Sequence, residues 1–324
     1  MFAKTSKQSL RAFGLLSSLF LALALTFSAC KDEENPTIPP PQNIVDLVVS
    51  GNQFTLLEAA VTRAGLATTL SGNGPFTVFA PTDDAFRAAG FADAAAINAA
   101  PVATLSNILL YHVVSGTAVA SSAIPTAQTS YPTSVSGNAP IFVTKASSGS
   151  VSVNNARVQQ ADNPATNGVV HVIDRVLMPP AGNVLQLAAA DPQLSLLVAA
   201  AQRGGTAVTG ALGGTTPITV FAPTNAAFNA AGFADVAAIN AAPVATLTAV
   251  LTNHVVAPAR AYSPTLVNGP VTTFGGGSVT VAVGSNNAVT LLSRGNGTNV
   301  SNVTTADINA TNGVIHKIDR VLLP

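Results

Sequence analysis

Apolar residues recur at helical spacing at the start of two similar stretches of the chain. Ile44, Val45, Val48 and Val49 form one stripe, and Phe54, Leu57 and Val61 a second. Val184, Leu185 and Leu187, then Leu194, Leu197 and Val198, repeat the arrangement further on. Stripes at three-to-four spacing are the core faces of amphipathic helices. A short strand is expected next, at Phe76–Phe79 and at Ile218–Phe221, closed by Pro81 and Pro223. Thr82 and Thr224 then stand where a helix N-cap belongs. Asp83 and Asp84 complement the dipole of that helix, whereas Asn225 and Ala226 predict a weaker start in the second stretch. Phe86 and Phe228 read as core anchors. A further helix is expected near Pro101 and Pro243, with Leu105, Ile108, Leu109 and His112 on one face, and Leu247, Val250, Leu251 and His254 on its counterpart.

The last third of each stretch alternates as strands do. Ile141–Thr144 and Val151–Val153 flank a Gly/Ser turn, and Val279–Val283 precedes the polar turn Gly284–Asn287. Asn167-Gly168 and Asn312-Gly313 are hairpin signals, because both residue types tolerate positive φ. In the closing strand Val169, His171, Ile173 and Leu177 point one way, and Val170, Val172, Asp174 and Val176 the other. Helices first and strands later predict an α+β fold, with a helical layer covering a β-sandwich or wedge.

The two stretches are copies. Phe79-Ala80-Pro81-Thr82-Asp83-Asp84-Ala85-Phe86 returns as Phe221 to Phe228, Asn98 to Leu105 as Asn240 to Leu247, and Thr166 to Leu177 as Thr311 to Leu322. The period is too long for a solenoid, whose units run to ~50 residues, so it marks a duplicated domain. Four regions follow: 1–29, 30–42, 43–180 and 181–324. The junction Pro179-Pro180-Ala181-Gly182 is short, which argues against independent tumbling.

Composition narrows the function. Hydrophobic residues make up 48% of the 324, but charged residues only 9%, with Lys+Arg and Asp+Glu equal at 14 each. A neutral Asn/Thr-rich surface without a basic stripe disfavours nucleic-acid binding. Residues 1–29 begin with Lys4, Lys7 and Arg11, continue through an apolar run from Leu15 to Phe27, and end in Ser28-Ala29, the layout of a secretory signal. Cys30 is the only cysteine, so no disulfide forms within the chain. Its place after Ser28-Ala29 resembles the lipidation box of bacterial lipoproteins, although Phe27 stands where Leu is commoner. Lys31-Asp32-Glu33-Glu34 resembles the surface-export signal of Bacteroidetes lipoproteins, and Pro36, Pro39, Pro40 and Pro41 make a semi-rigid tether. The expected location is the outer membrane, surface-exposed, with the periplasmic face as the alternative.

Thr77 to Phe86, the pair Tyr111-His112 and Asn167 to Asp174 together resemble the three signatures of the fasciclin-like domain, and the second copy carries all three with Asn253 in place of the tyrosine. The resemblance implies a β-wedge or sandwich with a helical layer and a role in cell adhesion or matrix contact. In some animal members an Asp-Ile pair and the Tyr-His region contact integrin. Asp307-Ile308 matches that pair, whereas Asp162-Asn163 lacks the isoleucine. On this basis Asp307, Ile308, Asp162, Tyr111, His112 and His254 are candidate partner-binding residues, and His171, His316, Asn167, Gly168, Asn312 and Gly313 structural ones.

Enzymatic alternatives find little footing. The histidines lack metal-ligand spacing, and the chain has no Gly-x-Ser-x-Gly elbow, P-loop or Gly-x-Gly-x-x-Gly. No catalytic residue, metal or cofactor is expected. Asp174-Arg175 and Asp319-Arg320 are strand neighbours that face apart. Phe79, Phe86 and Phe91 read as core, and Tyr111, Tyr131 and Tyr262 as the surface aromatics; without tryptophan, stacking on sugars is disfavoured. Three Asn-x-Thr sequons, at Asn296, Asn302 and Asn309, read as chance matches in a bacterial chain. The expected function is adhesion to a cell-surface or matrix protein or polysaccharide, with the membrane reached through the lipid anchor. The alternatives are a glycan or small-ligand capture module and an envelope protein without a specific ligand.

Overall fold

The computed structural model describes residues 41–135 and 139–324. The signal, Cys30 and all of the tether before Pro41 lie outside the described residues. Each copy opens with a helical layer. In the first, α1 (Ile44–Ser50), α2 (Thr55–Arg63) and α3 (Ala67–Ser71) precede strand β1 (Phe76–Pro81), and α4 (Asp83–Ala88), α5 (Ala94–Ala99) and α6 (Val102–Tyr111) follow it. Caps set the boundaries. Asn43 and Asp46 form a reciprocal capping box on α1. Thr82 Oγ1 accepts from Ala85 N at 3.3 Å, as expected. Pro101 is itself the N-cap of α6.

Strands β2 (Val113–Ser115), β3 (Thr129–Tyr131), β4 (Ile141–Lys145), β5 (Val151–Val153), β6 (Ala156–Ala165) and β7 (Gly168–Ile173) complete a seven-stranded sheet of order β2-β1-β7-β6-β5-β4-β3. The chain's early strand β1 lies parallel to its last strand β7, and the other pairs are antiparallel. β7 is therefore buried on both faces. Val170 and Val172 face the helical core with Phe86, Ile97 and Leu105. Ile173, and Leu177 beyond it, face a second core with Phe79, Val143 and Val153. The alternation read from the sequence assigns both faces correctly. Burying a side chain such as Phe86, 1% exposed, contributes roughly 1.5–3 kcal/mol.

The second copy repeats this plan: α7 (Val184–Ala190), α8 (Ser195–Arg203), α9 (Thr206–Gly213), β8 (Ile218–Pro223), α10 (Asn225–Ala230), α11 (Val236–Ala241) and α12 (Val244–Asn253) precede β9 (Val255–Val256), β10 (Gly269–Thr272), β11 (Ser278–Val283), β12 (Val289–Ser293), β13 (Ser301–Ala310) and β14 (Gly313–Ile318). The sheet order is β10-β11-β12-β13-β14-β8-β9.

Two local expectations change. Asp83 reaches across to α2, accepting from Thr55 Oγ1 at 2.7 Å and Leu56 N at 2.8 Å. Asn225 keeps the equivalent bond to Leu196 N at 3.0 Å and adds one to Pro192 O at 2.9 Å. Its replacement of aspartate thus preserves the helix–helix link. The Asn-Gly pairs are not the two-residue turns either. The two-residue connection is Thr166-Asn167, and Gly168 is the first residue of β7, opposite Phe76 in the parallel pair. A Cβ on Gly168 would lie 2.1 Å from Phe76 O, so close backbone approach requires the glycine.

Residues Pro41–Pro324 form one compact unit. Arg260 of the second copy lies over the Phe142 ring of the first at 4.3 Å. Gln128 Nε2 donates to Arg260 O at 2.9 Å, and Arg157 Nη2 to Asn287 Oδ1 at 2.8 Å. The short junction and these contacts agree.

Candidate functional site

The signature residues fall into three hydrogen-bonded constellations, each built twice. His112 and His254 are the C-caps of α6 and α12. His112 Nδ1–H donates to Ile108 O at 2.7 Å, and Nε2 accepts from Leu177 N at 2.8 Å. His254 does the same with Val250 O and Leu322 N, at 2.7 and 2.8 Å. Both rings are 1–2% exposed. Burial, partly offset by the carbonyl bond, pushes each down to about 4. They are neutral pins between the helical layer and the segment after the closing strand, and their burial removes them as partner contacts.

Asp162 and Asp307 sit at register breaks in β6–β7 and β13–β14, with φ of 60° and 66°. Such bulges redirect a strand. The Asp162 carboxylate accepts from Ser121 N at 2.7 Å and from the Ser121 hydroxyl. Asp307 accepts likewise from Ser263 N at 2.6 Å and the Ser263 hydroxyl. Each aspartate amide donates to a histidine Nδ1: Asp162 to His171 at 3.2 Å, Asp307 to His316 at 3.3 Å. The remaining ring nitrogens donate to Val119 O at 2.8 Å and Ala261 O at 2.9 Å. Burial lowers both histidines, against the pull of those carbonyls and of the nearby aspartates. At Asp162 burial raises the carboxyl, but the Ser121 bonds outweigh it and the net shift is downward.

These Ser, Asp and His side chains do not form a proton relay. The histidine takes its bond from the aspartate backbone, and neither ring nitrogen is left to accept a proton from Ser121 or Ser263. Among the described residues no group of three His, Cys, Asp or Glu side chains is placed to hold a metal ion. Asp174 and Asp319 are occupied as well, accepting from Arg157 N and Asn302 N at 2.7 Å each.

The third constellation is the Asn before each glycine. Asn167 Oδ1 accepts from Ile44 N at 3.0 Å, and its Nδ2 donates to Leu70 O and Gly72 O at 2.8 and 2.9 Å. Asn312 repeats this with Val184 N, Leu212 O and Gly214 O, at 2.9, 2.9 and 2.8 Å. One amide thereby fastens the first and third helices of each copy to the end of its sheet.

The family model described as Fasciclin domain matches residues 52–179 and 192–324. The chain belongs to the fasciclin domain family. Protein sll1483 of Synechocystis is 43% identical over 146 residues, 42% of this chain and 73% of that protein. The transforming growth factor-beta-induced protein ig-h3 of Oryctolagus cuniculus is 30% identical over 292 residues, 89% of this chain and 40% of that protein. A solved domain pair from the insect cell adhesion molecule fasciclin I covers 83% of this chain and 96% of its own, at 19% identity and a TM-score of 0.40.

The fasciclin signatures thus build the fold, and four expectations about surface chemistry change. Tyr111, expected at the surface, is fully buried, and Tyr262 is 1% exposed. The Tyr111 hydroxyl donates to Pro140 O and accepts from Asn154 and Asn309, all at 3.0 Å. Burial raises both phenols. Asp307 is 7% exposed, and Ile308 packs against the helical core of its domain. This Asp-Ile pair is not a free surface, whereas Asp162 is exposed with its carboxylate engaged. Arg260, Asn309 and Phe142 were not legible as interface residues, because one sequence carries no signal for which faces of two domains meet. Their spacing to the buried tyrosines emerges only in three dimensions.

Proposed function

We propose that this chain is a surface-anchored, non-enzymatic adhesion protein that meets a cell-surface or matrix protein or polysaccharide through loops of its two fasciclin domains. The observation that carries this reading is the consumption of the signature side chains in internal hydrogen bonds. His112, His171, His254 and His316 each have both ring nitrogens engaged. Contact is left to exposed loops, consistent with the adhesion role that the family resemblance implies. The loops on either side of β10 are the best candidates, since Val267 before it is 74% and Phe274 after it 54% exposed. Both flank polar backbone, a mix suited to protein or glycan contact.

The anchor rests on Cys30 following Ser28-Ala29. Palmitate labelling of the full chain in producing cells tests it: the label should vanish in Cys30→Ala. Label that survives the substitution contradicts the anchor. Deleting the chain should reduce attachment or aggregation of the producing cells, and unchanged attachment, aggregation and biofilm would count against adhesion.

A further inference from the structure

We infer that the first domain holds a small-molecule site within its helical layer, which takes a short alkyl chain whose head group donates a hydrogen bond. A cavity of about 200 Å³ lies among α1, α2, α3 and the start of the sheet. Its walls are apolar, formed chiefly by Ile44, Val48, Leu57, Val61, Leu70 and Val78. An apolar cavity of ~150 Å³ stays dry and admits benzene, so this one suits a chain of roughly eight carbons. His112 lies in the lining, but both its nitrogens are already bonded, so it offers the ligand no free polar group.

The second domain supplies an internal control. Its corresponding helix α9 runs Thr206–Gly213, against Ala67–Ser71 for α3. The longer helix buries Val208 as well as Leu212, where α3 buries Leu70 alone. Val208, 2% exposed, joins the core of Val184, Ala188 and Leu197, the counterparts of Ile44, Val48 and Leu57. In the first domain Leu66, the N-cap of α3, stands four residues before Leu70 as Val208 does before Leu212, and it packs against the core only partly buried.

The rim differs at the same time. Glu58 and Thr62 lie one turn apart on α2 and both border the cavity. Their counterparts are Val198, packed against the second core, and Gln202. Among the described residues the Glu58 carboxylate has no hydrogen-bond or ion-pair partner. A carboxylate at the mouth of an apolar cavity repels an acid head and favours an ammonium or hydroxyl. The looser packing of Leu66 relative to Val208 and the acid at the rim occur in one domain, which fits a cavity kept open for an amphiphile. This inference is independent of the adhesion reading, because the residues lining the cavity belong to the first domain and Val267 and Phe274 to the second.

The test uses residues 41–324, which contain both cores, with octylamine, 1-octanol and octanoate as probes. Calorimetric titration should give saturable one-to-one binding of octylamine and 1-octanol, with octanoate weaker by at least about ten-fold. Methyl shifts on titration should be confined to α1, α2, α3 and the other lining residues Val78, Leu109 and Val113. Ala67→Leu, which extends a lining residue into the space, should abolish binding while unfolding stays cooperative. Glu58→Gln, a substitution at the rim that leaves the core intact, should weaken octylamine by about ten-fold and leave 1-octanol within about three-fold. Non-saturable uptake, shifts scattered over both domains, or equal affinity for octanoate and octylamine would each overturn the proposal.

Discussion

The phenol oxygen of Tyr111 in the first domain accepts a hydrogen bond from the side-chain amide of Asn309 in the second at 3.0 Å. Asn309 also accepts from the Tyr262 hydroxyl at 2.7 Å and donates to Met178 O at 3.1 Å, next to the junction. One asparagine thus ties a buried tyrosine of each domain to the connecting segment. Tyr111→Phe should destabilise the chain by about 1–3 kcal/mol, because it leaves two amide donors and the Pro140 carbonyl without their partner. A double-mutant cycle with Asn309→Ala should show a coupling of about 0.5 kcal/mol or more by urea denaturation. Strict additivity would show that the domains do not communicate through this bond.

Stability should fall as pH drops from about 6.5 to about 4. His112 and His254 ionise near 6.5 when unfolded, but burial holds them neutral down to about 4 in the fold. Between those values the unfolded chain binds protons that the folded chain refuses, so unfolding is favoured as pH falls. The loss is at most about 3 kcal/mol for each ring, and it levels off below the folded values. The downward shifts of His171 and His316 act in the same sense. Asp162, and Asp191, which the Lys317 ammonium and the Gln193 amide contact, are lowered in the fold despite the opposing effect of burial, and add a further loss as pH drops below 3.8 and they protonate. Urea midpoints measured from pH 4 to 7 check the slope, and His112→Gln should make it shallower.

Gly168→Ala and Gly313→Ala should each cost about 3 kcal/mol or more, since the new methyl meets a backbone oxygen that cannot move without breaking the parallel strand pair. The would-be Cβ lies 2.1 Å from Phe76 O in one case and 2.3 Å from Ile218 O in the other. Gly210→Ala inside α9 is the contrast: nothing lies within 4 Å of its would-be Cβ. That substitution should stabilise by about 0.5–1 kcal/mol. Thermal melts of the three variants check the ordering.

These glycines are legible in the sequence as part of a motif but not in their pairing. The Asn-Gly pairs stood out as signatures, and the alternation of Val169 to Leu177 assigned both faces of the closing strand. The parallel pairing of Phe76 with Gly168, however, joins residues far apart in sequence, and local sequence alone marks the glycine as a turn residue. The same limit applies to Tyr111 and Tyr262. A phenol is amphipathic, and only the positions of Asn154, Asn309 and Pro140 reveal that its polar end is satisfied inside. The helix caps at Thr82 and Thr224 depend only on neighbours in sequence, and both are present in the structure.

Asp307→Ala should lower stability by about 1–3 kcal/mol by removing a buried carboxylate that pairs the partly buried Ser263 amide. Asp162→Ala, at the exposed equivalent, should cost less than about 1 kcal/mol, since water can replace the lost acceptor. Neither should change binding to cells if contact is made by other loops. Comparing denaturation midpoints with cell binding for both variants separates a structural bulge from a contact residue.

The most direct test of the account is the binding of residues 41–324 to producing cells, matrix proteins and a polysaccharide panel, with Val267→Ser/Phe274→Ser beside the parent. Adhesion through these loops predicts saturable binding to at least one such surface, reduced in the double variant while its melting temperature stays unchanged. Absence of binding to every surface, or undiminished binding by a variant stripped of both exposed apolar side chains, would contradict it.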